Sequence, residues 1–261
     1  QESRGLGDVY KRQDKGPFTS LEQLEEARRV VAETGRKYLV NYGERLSNEC
    51  AIFAGELIRR GAIGRVAQVL GLGPHRLGPP KQRPTWFFEK VRYGGILCDI
   101  GSHQFDAFLF FSGASDADIA YARVANLFHP EFPELEDFGE AVLKGNNGAS
   151  LYFRVDWLTP AGLRNFGDGR TFIVGEKGYI ELRKYVDVGT ARRGNQLYFV
   201  NDDGEFHLPL EGRIGEPFYS ALIRDCLHRT EEAMSQAHAF KAAELCLRAQ
   251  AVADAVGHGR L

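Results

Sequence analysis

The sequence predicts an α/β (α+β) fold. The last unit of a parallel strand–helix domain is followed by a larger domain on a mostly antiparallel sheet. Three observations predict it. Helix and strand patterns alternate only briefly after Asp14. Strand-like runs then follow one another from Ile119 to Leu208, with Asn146-Asn147-Gly148, Glu176-Lys177-Gly178 and Asp202-Asp203-Gly204 as hairpin turns between neighbours. Two helical patterns, Pro217 to Arg229 and Ser235 to Val256, close the chain. Its 261 residues allow one large domain or two ordinary ones, and 43% hydrophobic with 26% charged residues is ordinary for a globular chain.

The first residues stand apart. Ser3-Arg4-Gly5-Leu6-Gly7-Asp8-Val9-Tyr10-Lys11-Arg12-Gln13 has neither apolar periodicity nor a signal-peptide pattern. It matches one reading frame of a transposase sequencing adapter, in which GATGTGTATAAGAGACAG gives Asp-Val-Tyr-Lys-Arg-Gln. Residues 1–13 are therefore expected to be a non-native translation, with the biological chain beginning near Asp14 and lacking its true N-terminus. An intact source gene encoding these residues would refute this. Gly5-Leu6-Gly7 imitates the start of a dinucleotide fingerprint, but no strand precedes it and no third glycine follows at the right spacing.

Asp14 to Pro17 is a short loop. Thr19 and Ser20 offer an N-cap, with Glu22 placed three after Thr19 as in a capping box. Leu21, Leu24, Ala27, Val30 and Val31 mark one face of a helix ending at Gly35, and Lys37 to Tyr42 follows as a strand. A second helix spans Ser47 to Arg60, and Arg65 to Gly71 is the next strand. A proline-rich loop, Pro74 to Pro84, delivers Trp86, Phe87 and Phe88, where aromatics suit a pocket wall or core packing. The remaining strands are Ile119–Leu127, Phe138–Lys144, Ser150–Trp157, Thr171–Val174, Tyr179–Arg183, Gln196–Val200 and Glu205–Leu208. An antiparallel sheet of this kind can keep one face for helices and leave the other for solvent or a subunit partner.

A net charge of −2 gives no electrostatic case for nucleic acid or an anionic membrane, and no apolar run reaches membrane-span length. The four cysteines (Cys50, Cys98, Cys226, Cys246) contain no C-x-x-C pair and suit reduced thiols in a cytoplasm.

The chemistry concentrates in Tyr93 to Asp106. Gly94-Gly95 permits close backbone approach. Asp99 and His103 are four residues apart, so a helix opened by Asp99 would set them on one face about one turn apart, with Asp106 near that face. Phe105, Phe108, Leu109 and Phe111 supply an apolar wall behind them. A carboxylate beside a histidine fixes the ring and stabilises its protonated form, which is a general acid/base arrangement. The same spacing also fits a helix cap followed by a buried, hydrogen-bonded histidine. Asp99, His103 and Asp106 could alternatively hold a divalent ion in a hydrolase or isomerase.

Several motifs in order resemble the Gfo/Idh/MocA family of NAD(P)-dependent sugar and polyol oxidoreductases. Asp14-Lys15-Gly16-Pro17 is similar to its Glu-Lys-Pro loop, and Ala62-Ile63-Gly64-Arg65-Val66 to its G-x-I-G-x-V turn. Gly94 to His103 is similar to its G-G-x-L-x-D-x-G-x-H segment, and Gly175 to Ile180 to a later G-x-x-G-x-I hairpin. The resemblance runs from Asp14 to Leu261. It implies the C-terminal remnant of a Rossmann domain at residues 14–46 and a substrate and dimerisation domain with a large open sheet at residues 47–261. It implies Lys15, Asp99 and His103 as catalytic residues and Lys15, Pro17 and Arg45 on the cofactor side. Trp86, Asp99 and His103 would bind a sugar or polyol, with no metal. NAD or NADP is the implied cofactor, and a homo-oligomer through the open sheet the implied assembly. Two departures matter: the loop carries an extra glycine, and the Gly-rich phosphate-binding turn is missing. The fragment alone is therefore expected to bind cofactor poorly and to be inactive. A non-catalytic domain binding a ligand or partner is the alternative.

Overall fold

The computed structural model describes residues 10–190 and 192–257. β1 (Tyr10–Asp14) and β2 (Lys37–Asn41) pair in parallel, with α1 (Leu21–Thr34) crossing between them. Tyr10 to Gln13, from the segment assigned to the adapter, thus belong to β1, and the rest of that segment lies outside the described residues. Ser20 caps α1 by accepting from the Gln23 N–H, and the Gln23 side chain accepts in turn from the Thr19 N–H. The expected box of Thr19 and Glu22 is displaced by one residue, because Ser20 is the last extended residue before the helix.

The helix expected at Ser47 to Arg60 is α3 (Glu49–Arg59), and a short helix not expected from sequence, α2 (Gly43–Leu46), precedes it. Asn48 sits extended between them and donates to the Glu44 carbonyl, which stops one helix as the next begins. The chain then enters β3 (Val66–Pro74), passes α4 (Lys90–Tyr93) and reaches α5 (Ser102–Ser112). Its later strands are β4 (Ala117–Ala125), β5 (Phe138–Gly145), β6 (Ser150–Asp156), β7 (Arg170–Gly175) and β8 (Gly178–Arg183). The short pair β9 (Val186–Asp187) and β10 (Arg192–Arg193) precedes β11 (Gln196–Asn201) and β12 (Gly204–Pro209). Helices α6 (Pro217–His228) and α7 (Gln236–Val256) follow.

Eight strands form one open sheet in the order β12-β11-β8-β7-β3-β6-β5-β4. All its pairings are antiparallel except β3 with β6. Alternation sorts the side chains. Val69, Leu151, Phe153, Ile173, Leu182 and Leu197 are buried on the face that carries α3, α5 and α7. On that face Phe105 of α5 meets Phe153 edge-on at 5.1 Å, and the Ala239, Ala242 and Ala249 positions let α7 lie close. The opposite face exposes Tyr121, Val174 and Tyr179 among charged neighbours. No helix among the described residues is long and apolar enough to cross a membrane.

Candidate active site

Five separated segments meet around His103. Gly16, at φ 70°, turns the loop after β1 so that it runs beside the Cys98 and Asp99 backbone. Lys15 Nζ consequently donates to Asp99 Oδ1. Asp99 does not open a helix with His103: it lies in the turns ahead of α5, and its N–H bonds the Gly95 carbonyl. The expected shared face is thus corrected. Asp99 is charge-paired with Lys15, and among the described residues His103 Nδ1 has no hydrogen-bond partner.

The carboxylate that acts on His103 most strongly is Glu44, from α2. Sequence spacing gave no hint of it. Helix α5 lies so close to β3 that a Cβ at Gly71 would fall 2.0 Å from Gln104 Oε1. Gln104, next to His103, donates to Glu44 Oε2 at 3.3 Å, and Lys184 from beyond β8 donates to the same oxygen. Glu44 Oε1 has no hydrogen-bond partner and lies 3.9 Å from Nε2 of His75, which follows β3. Glu44 and Lys184 are 5% and 4% exposed. Burial works against the Glu44 charge, but Lys184, His103 and His75 outweigh it and hold its carboxyl down at about 2. His103 is 6% exposed, and burial carries its proton affinity down to about 4 against the pull of Glu44. The ring is therefore neutral near pH 7 and free to accept a proton. The Tyr42 ring stands edge-on to it at 6.2 Å.

His75 was also missed from sequence. Its Nδ1 lies 3.3 Å from the Gly73 carbonyl, and its ring packs on Trp157 and Phe166. Burial lowers its proton affinity against the opposing Glu44 charge. Phe87 is the buried aromatic of its segment and packs on Trp157 at 5.2 Å, whereas Trp86 is 45% exposed with Phe87 as its ring neighbour. Pro17 is half-buried in the Lys15 loop.

Arg45 is committed elsewhere. Its Nε and Nη2 donate to the two Asp106 oxygens at 2.7 and 2.8 Å, and its guanidinium lies 4.2 Å from the Phe110 ring centroid. His238 Nε2 reaches Asp106 Oδ1 at 2.7 Å. With both oxygens engaged, Asp106 does not join Asp99 and His103 as the alternative metal site requires. No group of three or more His, Cys, Asp or Glu that could hold a metal occurs among the described residues.

A cleft of about 560 Å³ is lined by Lys184 together with Asn48, Asn165, Tyr185 and Asn195. Its amides are largely used inside the fold: Asn165 donates to the Tyr185 carbonyl, and Asn195 accepts from the Cys50 N–H.

The sequence model of the GFO/IDH/MocA C-terminal domain matches residues 53–181. A crystal structure of a candidate oxidoreductase from Erwinia carotovora atroseptica SCRI1043 is 49% identical, with a TM-score of 0.89 over 96% of this chain and 73% of that one. Aldose-aldose oxidoreductase from Caulobacter crescentus, complexed with glycerol, is 20% identical with a TM-score of 0.72, covering 94% of this chain and 70% of that one. Levoglucosan dehydrogenase, in complex with NADH and L-sorbose, is 19% identical with a TM-score of 0.71, covering 93% and 70%. These last two share the fold. No curated protein matches the chain.

Proposed function

The chain belongs to the GFO/IDH/MocA family, and on that basis we propose that it is part of an NAD(P)-dependent oxidoreductase acting on a secondary alcohol of a sugar, polyol or related compound. The observation that carries this reading is a neutral, buried His103 with an unpartnered ring nitrogen beside the Lys15–Asp99 pair. A neutral, buried imidazole can take the hydroxyl proton. The Lys15 ammonium can stabilise charge developing on the substrate oxygen, and Asp99 keeps that ammonium in place. Relatives named for NADH, sorbose and glycerol support the same substrate and cofactor classes.

When bound, NAD or NADP supplies the hydride chemistry. The residues described here fit only one end of such a cofactor, through Lys15 and Pro17. Among the described residues, the strand-to-helix connection of Rossmann type, from Asp14 to Leu21, has a single glycine, and the helix it enters is already capped by Ser20 and Gln23. A pyrophosphate cradle needs more close-approaching backbone than this. Arg45, bound to Asp106, acts on the cofactor side only indirectly, by fixing α2 against α5. Residues 14–46 are the end of the dinucleotide-binding domain in this reading, and the uncovered sheet face with Tyr121 and Tyr179 is where a second copy docks. The protein works in the cytoplasm.

The test joins this chain to a complete dinucleotide-binding domain and follows NADH or NADPH absorbance across a panel of sugars and polyols. His103→Ala should lower turnover about 100-fold or more. A loss below about tenfold, worth about 1.4 kcal/mol, removes His103 as the base. The chain alone should bind NADH no better than high micromolar. Low-micromolar binding would overturn the fragment reading.

A further inference from the structure

With Asp99 charge-paired to Lys15, His103 needs another counter-charge when a proton arrives. Glu44 is buried and tied to the His103 segment: its Oε2 is held by Lys184 and by Gln104, the residue after His103, while Oε1 has no hydrogen-bond partner and lies 3.9 Å from His75 Nε2. Two residues before Glu44, Tyr42 touches the His103 ring. A buried carboxylate normally satisfies both oxygens, and Oε1, among the rings of the site, keeps hydrogen-bonding capacity towards a charge that forms beside it. We propose that Glu44, clamped by Lys184, is the positioning residue of His103, offsetting the imidazolium that forms on proton transfer. Lys184 keeps Glu44 ionised and stops it from claiming the proton itself. The proposal rests on His103 being the acid/base group of the proposed reaction.

The charged and titratable groups facing His103 are Glu44 from α2, Lys15 from the loop before α1, His75 from beyond β3 and Lys184 from beyond β8. Removing Lys184 takes away an opposing charge and frees the second Glu44 oxygen. The first raises His103 proton affinity outright and the second adds to it while Glu44 is present, whereas removing Glu44 as well takes away the larger attraction.

The experiment uses the chain labelled with ¹⁵N-histidine, with His103 resonances assigned by their loss in His103→Asn. Titration by NMR should place His103 protonation at least about one pH unit higher in Lys184→Met than in the parent, a tenfold gain in proton affinity. In Glu44→Gln/Lys184→Met the rise should vanish, and in Asp99→Asn/Lys184→Met it should persist. An unmoved His103 in Lys184→Met, or a rise that survives Glu44→Gln, overturns the proposal. So does a rise abolished by Asp99→Asn, which would return the role to Asp99. Should Lys184→Met fail to fold, Lys184→Gln, which retains a donor for Glu44, carries the same comparison. The measurement needs neither substrate nor cofactor, so it can fail while the oxidoreductase reading stands, and the reverse.

Discussion

Asp106→Ala should be among the most destabilising single changes in the chain, and the reason lies in what it leaves behind. The wild-type carboxylate is fully buried and accepts two parallel hydrogen bonds from Arg45 and a third contact from His238. Truncation strands the Arg45 guanidinium, only 9% exposed, without an anion. Removing one partner of a buried pair costs about 3–5 kcal/mol, because the remaining charge keeps its desolvation penalty. The Phe110 ring under the guanidinium returns only about 1 kcal/mol of this. Urea unfolding followed by circular dichroism should therefore show a midpoint lower by about 1 M or more. Arg45→Ala should cost a similar amount for the mirror-image reason. Arg45→Met/Asp106→Leu should cost much less than the two single losses added together, since it strands no charge. Strict additivity, or an Asp106→Ala loss below about 1 kcal/mol, would refute the buried-pair account and reopen Arg45 as a free cofactor-side group.

Other predictions follow from the same structure. His103, Glu44 and Asp106 are all held below their ordinary values, at about 4, 2 and 2, at buried positions where burial opposes each charge and only the two carboxylates are rescued by cations. Each stabilises the fold above its unfolded pKa and loses that contribution as pH falls. Stability should thus decline from about pH 6.5 towards 4 through His103, by about 3 kcal/mol, and more steeply from about 4.5 towards 2 through the carboxylates. In His103→Asn the upper part of this decline should shrink to the share carried by His75, whose proton affinity burial also lowers, and an unchanged decline would refute the assignment. Gly95→Ala should cost about 2 kcal/mol by thermal unfolding. Gly95 has φ 91° and a Cβ there would fall 2.3 Å from the Gln250 side chain, so an unchanged melting temperature would contradict the packing. A thiol reagent should label the half-buried Cys226 quickly in the native chain and spare buried Cys50, Cys98 and Cys246, and rapid labelling of two or more thiols would refute this. Tyr179→Asp on the uncovered sheet face should weaken self-association in sedimentation runs, and an unchanged assembly would refute docking through that face.

What was legible in the sequence was local. The turns at Gly148, Gly178 and Gly204 sit between paired strands as their residue types require, and the closing helices lie where apolar periodicity put them. Lys15 and Asp99 were named as one site and do touch, although 84 residues separate them, because the resemblance supplied the pairing. Nothing local signals Glu44, His75 or Lys184. Glu44 sits in the polar run Asn41-Tyr42-Gly43-Glu44-Arg45, which by composition belongs on a surface. Its burial follows from a partner 140 residues away, which no periodicity encodes. For the same reason Asp99 was assigned to His103: four-residue spacing was visible, whereas the competing ammonium of Lys15 was not visible from spacing.

The place of β3 governs how the molecule can assemble. The first strand of the large sheet in chain order is the fifth from its β12 edge and the fourth from its β4 edge, flanked by β7 and β6, and it meets Ser150 from Gln68 across 82 residues of chain. The β5–β6 and β7–β8 pairs can close by tight turns, and β4 joins β5 through the longer connection from Ala125 to Phe138, yet β6 and β7 each keep one bare edge until β3 arrives. The slow event is then a long loop closure that joins two preformed halves, and folding should be limited by it rather than by any hairpin. A chain paused before that event exposes two strand edges in register for a neighbour, so refolding yield should fall with concentration even where the native protein is stable.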